Sequence, residues 1–133
     1  MCLRSVRYSK SVQQAQENPT IFIGWKVMRY NEATGAYYTP MVRKFQCYIK
    51  NKWYTAKDNG FWSISGYKPG FHVFRDKVDA VQYQRNMDLY DVFKVIQVEY
   101  RYILAAGVQL CHNSKEYTID CDVAHQMRVV THE

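Results

Sequence analysis

What this sequence lacks narrows the choices first. It has no apolar run near the ~20 residues that a membrane-spanning helix needs, so no such helix is expected. The opening "MCLRSVRYSKSVQQAQ" has no apolar centre after its basic residues, which argues against a secretory signal and for a protein of the cytoplasm. The four cysteines, Cys2, Cys47, Cys111 and Cys121, stand far apart, so reduced thiols are expected rather than a disulfide framework. Repeats, low-complexity tracts and Gly/Ser linkers are missing, and no internal boundary divides the chain. No motif of established catalytic meaning is complete, so a binding protein is expected before an enzyme, and no cofactor is expected.

Acidic residues are scarce in one part only. Residues 1–75 hold 12 Lys and Arg against 3 Asp and Glu, a net of +9, while residues 76–133 hold 6 against 9, a net of −3. Fifteen of the 21 aromatics lie in the same basic part, Trp25, Trp53 and Trp62 among them. Positive charge interleaved with π-faces suits nucleic acid, a nucleotide or an acidic protein partner. Tyr-rich strands with basic residues on a solvated face produce the same composition without any partner. In the densest stretch Arg43, Lys44, Lys50 and Lys52 flank Tyr48 and Trp53, and with Trp62, Tyr67, Lys68 and His72 they make up the expected binding surface.

A chain of 133 residues, 47% hydrophobic and 23% charged, can form one compact domain. Residues 1–20 read as a polar N-terminal arm closed by "ENPT", and 21–133 as a single α+β domain. "IFIGWKVMRY" reads as the first strand, "NEATG" as a turn, and "AYYTPMVRKFQCYI" as one or two strands interrupted at Pro40. "KWYTA" and "FWSIS" read as short strands. Ala80, Tyr83, Met87 and Tyr90 share one face of the main helix, about 76–90, with Asp76 as its N-cap and Asp79 in its first turn. Residues 92–104 read as a long central strand, "AAGVQL" as a turn, "CHNSKE" as a loop, and "DVAHQMRVV" as a final strand or a strand with a helical lead-in. The expected fold is α+β: a strand-dominated, mostly antiparallel curved sheet carrying one main helix.

The segments "MCLRS", "FIGWKVMRY" with "YYTP", "YKPGFHVF" followed by "DKVDA", "FKVIQVEY" and "DVAHQMRVV", in that order, resemble a family of small uncharacterised proteins encoded by bacteriophages and related mobile elements. The resemblance spans nearly the whole chain and implies a phage origin and a shared fold. It assigns no activity. The segment "CHNSKEYTID" departs from it, being longer and more charged.

Four constellations invite chemistry. In "GYKPGFHVF", Gly66, Pro69 and Gly70 set a bend that presents His72 just before a helix, with Gly70 expected to need a backbone conformation closed to other residues. No Ser, Cys or carboxylate partner for His72 is apparent, so the expectation is an architectural histidine in a bend that lines the main pocket. Cys2, freed by loss of Met1, would join a thiol to an amine beside Arg4 and Arg7, whereas an intact Met1 excludes that chemistry. Cys111, His112, Cys121 and His125 have zinc-ligand chemistry, but adjacent Cys and His seldom reach one metal, so no metal is expected. Lys26 or Arg29, then Ser63 and Ser65, then Glu99 follow the order of Arg-Ser-Glu ADP-ribosyltransferases, in which the acid stabilises an oxocarbenium-like ribose from NAD. The leading expectation is a phage-type accessory protein that binds a host protein, nucleic acid or a nucleotide. The alternatives are the NAD-using transferase and a minor virion component.

Overall fold

The computed structural model describes residues 3, 5–38, 47–57, 67, 70–86, 92–110 and 118–132. Along the chain run β1 (Ser5–Ser9), α1 (Val12–Gln16), β2 (Phe22–Asn31), β3 (Ala36–Tyr38), β4 (Cys47–Ile49), β5 (Trp53–Thr55), β6 (Phe71–Phe74), α2 (Lys77–Arg85), β7 (Phe93–Leu110) and β8 (Thr118–His132). The expected α+β class holds: the described residues form one antiparallel sheet of eight strands, one main helix and one short helix. No helix among the described residues is long and apolar enough to cross a membrane.

The sheet is organised around β7 and β8, which pair along nearly their full length from Ile96↔His132 to Leu110↔Thr118. β8 bonds next to β6, β6 meets β2 at Trp25↔Phe74, and β2 pairs back onto β7 from Phe22↔Tyr100 to Arg29↔Phe93. These four pairings close a hydrogen-bonded ring, the limit of the curvature expected from sequence. Alternation along β2 sends Trp25 and Val27 into one apolar layer and Met28 and Tyr30 into another, one on each face of the sheet. α2 covers the first layer with Ala80 and Tyr83, the Tyr83 ring lying 5.1 Å from that of Phe74.

Several expectations change. The 1–20 stretch carries β1, paired with β7, and α1, whose Ser11 and Gln14 form a capping box. Its exposed residues read as polar because β1 uses backbone bonds more than side chains to join the sheet. "AAGVQL" is not a turn. β7 runs through it because Gly107 lies where the Ser5 backbone packs, a spot with no room for a Cβ. β8 is strand throughout, with no helical lead-in. Asp76 occupies the N-cap of α2, yet its side chain makes no capping bond. Met87, Tyr90, Pro40, "FWSIS" and "CHNSKE" lie outside the described residues.

Candidate functional site

One face of the sheet gathers cations around a tryptophan. Cross-strand register aligns Trp53 with Arg128, Arg128 with Glu99 and Glu99 with Ile23, so these four form a row across β5, β8, β7 and β2. The next row is Thr55, Gln126 and Arg101. Directly opposed side chains sit about 5 Å apart, close enough to interact. The Arg101 and Arg128 guanidinium carbons lie 4.3 and 4.9 Å from the Trp53 ring centroid, within cation–π range. Arg101 Nε donates to Gln126 Oε1 at 2.7 Å, and Arg128 donates through Nε and Nη2 to Glu99 Oε1 at 3.2 and 2.5 Å. The remaining N–H groups of both arginines have no hydrogen-bond partner among the described residues. Lys50 and Lys52 are exposed on the turn that enters β5, and Asn51 N there donates to Val129 O at 2.8 Å, tying the turn to β8.

Tyr102 marks this face as well. Its φ is 60, a left-handed conformation that is uncommon for a bulky residue, and it stands one residue before the register shift that runs from Ile103 to Ala105. The Arg101 guanidinium lies 5.0 Å from the Tyr102 ring. Backbone strain of this kind costs about 1–3 kcal/mol and tends to mark functional positions.

The His72 region is a buried polar cluster. Tyr67 is 1% exposed, and its hydroxyl accepts from Leu3 N at 2.9 Å and lies 3.2 Å from His72 Nε2. Burial, then the nearby Lys26 charge, push the imidazole down to about 3, against an opposing bond with the Gly70 backbone. The ring is therefore neutral at physiological pH. With one nitrogen's proton given to Gly70, Nε2 is left to accept from Tyr67. Lys26 Nζ donates to the His72 carbonyl at 2.6 Å, and burial pulls its ammonium down to about 8. Burial also pushes the Cys121 thiol up to about 12, so this free cysteine stays protonated. Gly70 needs no unusual φ. A Cβ there would sit 2.6 Å from Ala124 O and 2.8 Å from Val123 Cγ1, so close approach rather than backbone freedom calls for glycine.

The expected binding residues therefore separate. Trp53 belongs to the cationic face, whereas Lys50 and Lys52 are exposed on the adjoining turn, with Lys52 Nζ 5.4 Å from the ring of Tyr54. Tyr48, 3% exposed, packs edge-on to Tyr54 in the core, and Tyr67 and His72 belong to the buried cluster. Arg43, Lys44, Trp62 and Lys68 lie outside the described residues, as do Cys2, Ser63, Ser65, Cys111 and His112. Cys121 and His125 are four residues apart on β8, roughly 13 Å along an extended strand, which is too far for one metal. No group of three or more metal-ligating side chains occurs among the described residues. Glu99 is held by Arg128 and shares a face of the β2–β7 pair with Ile23, whereas Lys26 faces the other side and the exposed Arg29 lies over Tyr38. Arg101, Tyr102 and Arg128 went unnoticed because they sit in the acidic part of the chain. The signal available was the alternation in "EYRY" and "HQMRV". Comparison with protein-family models, with curated proteins and with solved structures found no match.

Proposed function

We propose that this protein binds single-stranded nucleic acid on the sheet face built from β5, β8 and β7. The observation that carries the reading is the pair of guanidinium groups held against Trp53, at 4.3 and 4.9 Å. Each arginine is fixed by one partner and keeps N–H groups for phosphate, while Trp53 and Tyr102 offer aromatic surface to bases. Lys50 and Lys52 extend the positive potential along the backbone path. The resemblance to bacteriophage and mobile-element proteins adds a phage-type accessory role, directed at host machinery, to the same proposal.

Fluorescence anisotropy with a labelled ~12-nucleotide strand tests it. Affinity is expected to fall steeply with salt as counterions are released. Trp53→Ala and Arg101→Ala are each expected to weaken binding by about 5- to 100-fold, the range of one lost stacking or charged contact, with melting temperature nearly unchanged. Reversing Lys50 and Lys52 to Glu is expected to lower the salt slope. Binding that is absent, indifferent to salt or unmoved in both single variants defeats the reading.

A further inference from the structure

β7 is left open on one side over a short interval. β2 pairs with it up to Tyr100 and β1 takes over at Ala105, so residues 101–104 have no strand partner there among the described residues, beyond a bond from Lys10 N to Leu104 O at 2.7 Å. A pocket of about 390 Å³, within the size range of small-molecule sites, occupies this gap. Tyr8, Phe22, Tyr100 and Ile103 form its aromatic and apolar walls, and Arg75 and Asp122 supply the polar groups. Tyr8 and Phe22 are 42% and 37% exposed, so their rings are accessible at the rim.

The polar groups are prearranged. Asp122 is buried, and its Oδ2 accepts from the Tyr100 hydroxyl at 2.7 Å. Its Oδ1 accepts from Arg75 Nε at 2.9 Å and Nη2 at 2.6 Å. Both contacts come from the same side of the guanidinium. The opposite edge, Nη1 with the second Nη2 proton, has no partner among the described residues, and the Arg75 side chain is 36% exposed. The pocket thus presents a rigid two-donor fork, held by a buried carboxylate, beside aromatic faces. A fork of that shape pairs with two adjacent acceptors in one plane, and among the bases guanine O6 and N7 provide them.

We infer that this pocket takes a single guanine base, read by Arg75 on its O6/N7 edge and stacked against Tyr8 or Phe22. The inference deepens the single-strand reading and rests on it, since Ile23 both ends the row that starts at Trp53 and lines the pocket. Three strand spacings of about 4.8 Å separate Trp53 from Ile23, a span of roughly 14 Å that two or three nucleotides cover. A strand crossing the cationic face would deliver one base to the gap.

The test titrates GMP, AMP, CMP, UMP, 7-deaza-GMP and inorganic phosphate into the whole protein and follows the Ile23 and Ile103 methyl resonances by NMR. GMP is expected to shift both methyls and to bind at least ~10-fold more tightly than the other three nucleotides, and 7-deaza-GMP, lacking N7, is expected to lose most of that advantage. Arg75→Lys keeps the charge that pairs with Asp122 but removes the fork, and is expected to abolish the preference while leaving oligonucleotide binding at Trp53. Equal shifts from all four nucleotides, or from phosphate alone, overturn the inference. Silence of both methyls under GMP overturns it too, and in that case retained oligonucleotide binding that Trp53→Ala weakens leaves the sheet-face reading standing. Loss of oligonucleotide binding with a GMP-specific shift retained would instead defeat the sheet face and leave the pocket.

Discussion

Acid should unfold this protein partly through one histidine. His72 has an unfolded value of 6.5 and is held near 3 in the fold, chiefly by burial. Between those limits the unfolded chain binds a proton that the folded chain refuses, so stability is full above pH 6.5 and falls as pH drops toward 3. At about 1.4 kcal/mol per unit, the loss reaches about 2 kcal/mol by pH 5 and about 3 kcal/mol by pH 4. Those losses are a large fraction of the 5–15 kcal/mol typical of a whole domain. For a chain of this size, 2 kcal/mol corresponds to a fall in melting temperature of roughly 7 °C. Carboxylates titrate over the same range, so the measurement is a difference: thermal melts from pH 7 to 4 for the parent and for His72→Gln. The amide can still accept from the Tyr67 hydroxyl but takes up no proton. The variant is expected to be less stable at pH 7, from lost packing, and to show a shallower slope below pH 6.5. Parallel slopes, or an NMR titration of the folded His72 ring near 6.5, would refute the reasoning.

Two further predictions concern the same region. Lys26 is depressed from 10.5 to about 8, so its contribution is full above 10.5 and is lost as pH falls through 8. Lys26→Met is therefore expected to raise stability at pH 7 by about 1–2 kcal/mol, after the loss of the bond to the His72 carbonyl, and to remove the alkaline rise between pH 8 and 10.5. Urea melts at pH 7 and 10 check both. Gly70→Ala would stabilise by up to ~1 kcal/mol on backbone entropy alone. A Cβ 2.6 Å from Ala124 O instead predicts destabilisation by about 1–3 kcal/mol, and the sign of the change in a urea melt decides it.

The fold class was legible because β2, β7 and β8 carry long runs rich in Val, Ile and Tyr, and because Ala80 and Tyr83 keep helical spacing. Ring closure was not, since Trp25↔Phe74 and Phe22↔Tyr100 join residues far apart in sequence. Gly107 misled for a related reason: a glycine required by the approach of Ser5 looks the same in sequence as one required by a turn. Trp53 stands out in the sequence for the basic residues beside it. Its cationic neighbours on the sheet were not legible, because Arg101 and Arg128 reach it only through sheet register, and a count of charge along the chain assigned them to the acidic part. The setting of His72 was not legible, because Lys26, which donates to its carbonyl, lies 46 residues away and no local pattern signals it.

The closure of β2 onto β7 also sets a schedule. β2 begins at residue 22 and β7 at residue 93, so about 70 residues must leave the ribosome before β2 meets the strand it pairs with most extensively. At ~5–20 residues per second, that wait is roughly 4–14 s. During it Ile21, Phe22 and Ile23, still 37–54% exposed even in the finished fold, form an apolar segment at an unpaired strand edge. β7 and β8, by contrast, follow one another directly and can pair as soon as both have emerged. The newborn chain is thus most open to chaperones and to self-association before β7 and β8 appear, and the β7–β8 hairpin is the template on which the earlier strands are finally laid down.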